Sequence, residues 1–340
     1  MLKVNLRLLL LVLTFFAVPS MRAQTFTSFD FPGSTTMDAL GINTSGVITG
    51  FYADASGVLH GFVRASDGSM TSFDPALSFY TRPLSINGAG SITGYYADAS
   101  NVYHGFVRSK KGKITSFDAP DAGKDFNEGT RARGINAGGA ITGYYKDASL
   151  KFHGFVRTRD GAITSFDPPD SVLTSGVAIN TAGTISGYFL DTSDMFHGFV
   201  RTNDGTITSF DPPGSVATAA YGINAAGSVT GYYGDASEMV HGFVRTKKGK
   251  TTVFDPSGSF GTTALSINTG GAITGYYVDA SNAGHGFVRA SNGVITSFDA
   301  PDAGTSPRQG TFPNSINKAG VITGYYVDAS DVAHGFVLTP

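Results

Sequence analysis

At 340 residues, with 45 Gly, two Glu, 12% aromatic and only 15% charged residues, the chain is a poor recipe for helices, and a mostly helical protein is excluded. A hydrophobic content of 41% is enough to bury a core, which excludes a wholly disordered chain. The formal net charge of −2 gives no general electrostatic reason to bind nucleic acid or an anionic membrane, and zero Cys excludes disulfides, thiol catalysis and thiolate metal sites.

The first segment carries Lys3 and Arg7, an apolar run over 8–18, then Pro19, Ser20 and a cut site after Ala23. That is the layout of a secretory signal peptide, too short in its apolar part to span a bilayer. Its removal takes away Lys3, Arg7 and Arg22 and leaves 21 basic against 26 acidic residues. The expected product is an acidic domain over 24–340, secreted, periplasmic or on the cell surface, with no membrane span.

From residue 25 onward the sequence repeats. All seven His sit in one tetrapeptide, HGFV, at His60, His104, His153, His197, His241, His285 and His334, spaced by 44 or 49 residues. An Ile-Asn pair and a Gly-aromatic-aromatic triplet recur in step, beginning at Ile42 and Gly50 in the first copy. A β-rich period of this length predicts a β-propeller. Within each period four strands are expected in two hairpins, lettered A to D. In the fifth copy A falls near 221–224, B near 228–233, C near 240–245 and D near 250–255. The C–D turns carry Asp-Gly, Lys-Gly or Asn-Gly, pairs that supply the positive φ of tight hairpins.

The D-type string ITSFD has its first copy at 25–30, ahead of any A, B or C strand, and the last period stops at HGFVLTP without one. The prediction is therefore an all-β, seven-bladed propeller with four-stranded blades, its ring closed by the N-terminal strand completing the last blade. An open β-solenoid is the alternative. The HGFV motif, the Ile-Asn before a Gly turn and the G-Y-Y strand together resemble the HAF-type extracellular repeat proteins of bacteria, with Gly in place of the Ala of that family's His-Ala-Phe. The resemblance covers nearly the whole chain after the leader. It implies export and a β-repeat fold, and no activity.

The repeated residues have structural readings. The seven His are expected to be buried, with their ring nitrogens satisfied locally, and to bind no metal. A symmetric B–C hairpin puts Tyr52 opposite His60 and Gly50 opposite Phe62, the missing side chain at Gly50 making room for the Phe ring. Fourteen Asp occupy two repeated positions, after strand B (Asp54 and its equivalents) and at the end of strand D (Asp74 and its equivalents), and both sets are read as caps of turn N–H groups. Arg64 and its five equivalents read as solvated strand-end charges or local ion pairs.

A site for one ligand must differ from its symmetry mates. The two 49-residue spacings mark expanded D–A connections, 119–134 and 300–315. With the connection before blade 2 they supply the candidate ligand-binding residues Tyr80, Arg82, Phe126, Arg131, Arg133, Arg308 and Phe312. Arginines with aromatic neighbours suit an acidic sugar or a peptide carboxylate. The expected function is an exported binding module, recognising a glycan or protein on the D–A loop face, as a monomer without cofactor. Two alternatives stand beside it: a polysaccharide lyase or glycosidase at the same face, for which Asp125 and Glu128 are the one carboxylate pair, and a structural surface repeat without a discrete site.

Overall fold

The computed structural model describes residues 24–340, so the predicted signal segment 1–23 lies outside the described residues. The described residues form 28 strands and no helix, a propeller-like all-β fold. The first strand, β1 (Thr25–Phe29), does not pair with its immediate successor in the chain. In the first full repeat β2 (Thr36–Ile42), β3 (Ile48–Ala53), β4 (Leu59–Arg64) and β5 (Met70–Phe73) pair antiparallel in chain order. Each later repeat opens on an equivalent of β2: β6 (Tyr80–Ile86), β10 (Gly129–Ile135), β14 (Ser171–Ile179), β18 (Ser215–Ile223), β22 (Gly261–Ile267) and β26 (Gly310–Ile316). These A strands are longer than the sequence suggested, since the fifth copy begins at Ser215 and not near 221. The last repeat ends in β28 (Ala333–Thr339), and β1 pairs with it antiparallel from Thr25↔Thr339 to Phe29↔Gly335.

Two sets of contacts run round the molecule and return to their start. At one end, the buried Asn of each Ile-Asn pair donates its amide N–H to the backbone carbonyl of the next: Asn43 to Asn87, then Asn136, Asn180, Asn224, Asn268, Asn317 and back to Asn43, at 3.0 to 3.3 Å. The side-chain oxygen of the same Asn caps its own A–B turn, Asn43 accepting from the N–H groups of Ser45 and Val47. Between repeats, the fully buried Phe of HGFV meets the D-strand Phe of the preceding repeat edge to face, from Phe29–Phe62 through to Phe298–Phe336, with ring centroids 5.8 to 6.3 Å apart.

The Arg after HGFV completes this interface. Arg64 lies 4.7 Å over the Phe29 ring, and Arg108, Arg157, Arg201, Arg245 and Arg289 repeat the contact on Phe73, Phe117, Phe166, Phe210 and Phe254. These cations are neither solvated ends nor ion pairs, as the sequence had suggested, but cation–π clamps between repeats. In the seventh copy the position is Leu338, buried in a cluster that includes Phe298.

The B–C register places Gly50 opposite Phe62 and Tyr52 opposite His60. The reason for the glycine is different from the one expected. A Cβ on Gly50 would fall on the backbone carbonyl of Asp38 in strand A, and only in some copies, such as Gly187, does the Phe ring also come within 3 Å. The glycine therefore admits a bulge of strand A first and the ring second.

Candidate functional site

Two arrangements gather chemistry-bearing side chains. The first occurs seven times, at the end formed by the B–C and D–A connections. Each HGFV His stands between two carboxylates. In the first copy His60 Nδ1 is 2.7 Å from Asp74, at the end of strand D, and Nε2 is 3.4 Å from Asp54, just past strand B. Across all copies the two distances run 2.6 to 3.0 Å and 3.3 to 3.6 Å.

The His are thus half-buried, with 17 to 26% of their side chains exposed, rather than enclosed as expected. A carboxylate on each side accepts but cannot donate, so the arrangement favours the imidazolium, which donates from both nitrogens. Burial works against that charge, yet the paired carboxylates outweigh it and hold His60, His197, His241, His285 and His334 above the usual histidine value. The post-strand-B carboxylates are held low. Asp54 accepts the N–H groups of Val58 and Ser56, as the turn-cap reading required. Asp279, with the Ser281 hydroxyl as its largest stabiliser, falls to about 2. The strand-D set is different: Asp74 and its equivalents take the His ring.

The second arrangement lies on the central axis and is not repeated. Every A strand carries a β-bulge before its last two residues, for example between Ala132 and Gly134 in β10. A bulge re-aims the extra side chain. The seven bulged residues are Leu40, Leu84, Arg133, Val177, Tyr221, Leu265 and Asn314, and all of them line one cavity of about 300 Å³. Four are apolar and three polar, so the equivalence of the repeats is broken here.

Toward the D–A end of the channel, two residues earlier in each A strand, stand Asp38, Arg82, Arg131 and Phe312. Each is paired across the strand with the first aromatic of the G-aromatic-aromatic triplet, Phe51, Tyr95, Tyr144 or Tyr325. The Arg82 guanidinium lies 4.6 Å over Phe51 and Arg131 3.7 Å over Tyr103. Phe312 stacks on Tyr325 at 5.0 Å. Burial raises Asp38 to about 7 against the pull of Arg82 and of the Asn314 amide, which donates to Asp38 at 2.8 Å. Burial and the neighbouring Tyr95 raise Tyr80 to about 12.

The structure divides the candidate ligand-binding residues between two places. Tyr80, Arg82, Arg131, Arg133 and Phe312 belong to A strands, because β10 begins at Gly129 and β26 at Gly310, so the expanded connections are shorter than read from spacing. Phe126 and Arg308 remain in those connections, exposed. The two connections share one construction. Glu128 is buried and accepts the Asp125 N–H at 3.0 Å, and Gln309 in the second loop accepts the Ser306 N–H at 3.1 Å. Glu128 therefore holds its loop closed, with its carboxylate occupied by the backbone of its supposed partner Asp125.

Sequence reasoning missed two features. The Asp–His pairing was recoverable by counting the C–D hairpin outward from its turn, since Gly61 faces Phe73 and their neighbours His60 and Asp74 then meet. The channel ring was not, because a bulge displaces the alternation that pattern reading relies on.

No family model matches the sequence, and no curated protein does. Solved structures of β-propellers do. The β-propeller domain of the Trilobed protease from Pyrococcus furiosus, described as having an open velcro topology, superimposes with TM-score 0.59 at 12% identity, over 89% of this chain and 95% of that one. BP39L lectin from Burkholderia pseudomallei gives 0.54 at 11% identity, covering 91% of this chain and 99% of the lectin. Puromycin hydrolase gives 0.57 at 11% identity over 87% of this chain, which spans about half of the hydrolase, 51%. At these identities the likeness defines the class of fold, a β-propeller-like protein.

Proposed function

We propose that residues 24–340 form a seven-bladed β-propeller of four-stranded blades, closed by the N-terminal strand and exported behind the 1–23 signal peptide. We further propose that it serves outside the cytoplasm as a monomeric binding module for a glycan or protein at the face made by the D–A and B–C connections. One observation carries the reading of that face. Of ten large apolar side chains left exposed among the described residues, eight lie on it, including Leu77 (91% exposed), Phe126 (73%), Phe79 (59%) and Phe260 (56%). Apolar groups concentrated on one face mark an interaction surface, and flat aromatic rings suit the C–H faces of sugar rings. A lectin of similar fold supports a glycan as the first ligand class to test.

The test is a glycan array with the mature chain, followed by titration of the strongest ligand against a Phe79→Ala/Phe126→Ala variant and, separately, an Arg308→Ala variant. Binding weakened at least tenfold in the aromatic variant, at unchanged melting temperature, is the expected result. Undiminished binding in both variants removes the face from consideration. Release of new reducing ends from the bound glycan would replace binding with catalysis as the primary activity.

A further inference from the structure

The bulge-borne ring in the channel has one charged member. Arg133 is half-buried in the cavity wall, and its polar contacts are two neutral, long ones: Nη1 donates to Ser175 Oγ at 3.5 Å and to the Tyr188 hydroxyl at 3.4 Å. The Tyr221 ring is 5.9 Å from its guanidinium carbon. Among the described residues no carboxylate lies within 4 Å of it, since every ion pair there is between Asp and His. The six clamping arginines also lack carboxylates, but each of those is pressed on a Phe ring at 4.6 to 4.9 Å and serves packing. Arg133 faces open volume with most of its five N–H groups free. A guanidinium removed from bulk water without an anion gives up hydration that only a ligand of opposite charge restores.

The rest of the ring narrows the ligand. One cation in a cavity of about 300 Å³ calls for a small monoanion. Arginine's planar fork matches a carboxylate with two parallel hydrogen bonds. Four repeats round from Arg133, Asn314 spends its amide N–H groups on Asp38 and on the Ala39 carbonyl, which leaves its side-chain oxygen to accept from a hydroxyl. The Tyr221 hydroxyl is the other polar group among the bulged residues, the Ser85 and Ser266 hydroxyls on the same wall accept the Ile135 and Ile316 N–H groups, and Leu40, Leu84, Val177 and Leu265 add apolar surface. Carboxylate, hydroxyls and a C–H face in one six-membered ring describe a hexuronic acid.

We infer that the channel binds one hexuronic acid, free or as the acidic end of an oligosaccharide, with its carboxylate on Arg133 and its hydroxyls toward Asn314 and Tyr221. This site is separate from the loop face, so either reading stands or falls without the other.

Isothermal titration with galacturonate, against galactose at matched ionic strength, tests the inference. Galacturonate should bind with a stoichiometry of one and at least tenfold more tightly than galactose, weakening as salt rises. Arg133→Met should abolish the difference between the two sugars, and Arg133→Lys, a point charge without the fork, should keep only part of it. Leu265→Phe, which fills the cavity from a different repeat, should weaken galacturonate binding while Arg133 remains, and provides an independent reading if the Arg133 variants unfold. A stoichiometry near seven, equal affinity for the neutral sugar, binding indifferent to both Arg133→Met and Leu265→Phe, or no heat up to 50 mM galacturonate each overturns it.

Discussion

Replacing Asn87 by Ala breaks the amide circle at one point. Asn87 donates to the Asn136 carbonyl at 3.0 Å and accepts from the N–H groups of Ala89 at 3.1 Å and Ser91 at 2.9 Å, and its side chain is buried. Three hydrogen bonds are lost, two backbone N–H groups and one carbonyl are left without partners, and at about 1 kcal/mol each the cost is about 3 kcal/mol. An unfolding entropy of roughly 2.1 cal/mol/K per residue amounts to about 0.7 kcal/mol/K for a chain of this size, so the melting temperature should fall by about 4 °C. Differential scanning calorimetry of the wild-type and variant proteins measures it. Asn87→Asp retains the oxygen that caps the turn and loses the donor, so it separates the turn from the circle. The reasoning fails if Asn87→Ala melts within 1 °C of the wild-type protein, because the bonds would then be replaceable by water at no cost.

Two further outcomes are expected. The His have folded values above the ordinary 6.5, so their contribution is present below pH 6.5 and is lost as pH rises through the raised values. The paired Asp, held below the ordinary 3.8, contribute above that pH and lose their effect as pH falls through the lowered values. Asp38, raised to about 7, costs stability as its buried carboxyl ionises between pH 3.8 and 7, and the cost persists above 7, so it adds to the histidines' loss as pH rises, and Asp38→Asn separates its share. Melting temperature should therefore be higher at pH 5.5 than at pH 8.5, and the opposite order would show that the Asp–His clusters do not govern stability. At Gly105, the second residue of an HGFV motif, an added Cβ would stand 2.7 Å from the Phe117 ring, over which the Arg157 guanidinium also lies. Gly105→Ala should cost about 1–3 kcal/mol by overpacking, and Phe117→Leu in the same chain should recover most of it in urea denaturation; an unaltered urea midpoint in the single variant would mean that the ring is free to move.

What the sequence revealed depended on the kind of signal it carried. Spacing of HGFV set the phase of the repeat, and the Asn-Gly and Asp-Gly pairs marked its C–D hairpins, because local turn chemistry needs no knowledge of tertiary contacts. The misplacement of Arg131 and Arg133 had a specific cause. The one landmark between strand D and the A–B turn is the Ile-Asn pair, which lies at the far end of strand A, so most of that strand reads as connection. Arg64 and its equivalents were misread because their aromatic partner belongs to the neighbouring repeat, a relation invisible within one period. The strand-D Asp looked like turn caps because many precede Pro, whereas the His that engages them sits fourteen residues earlier.

The pairing of Thr25 with Thr339 joins residues more than three hundred positions apart. Pairings between residues this far apart in sequence carry a large loop-closure cost, so the β1–β28 contact is expected to form late in folding. Until then β28 offers a bare edge and β1 a loose strand that fits it, on the same chain or on a neighbour's. Dilute refolding favours self-closure, and crowding at high concentration favours exchange of the latch between two molecules, each completing the other's circle.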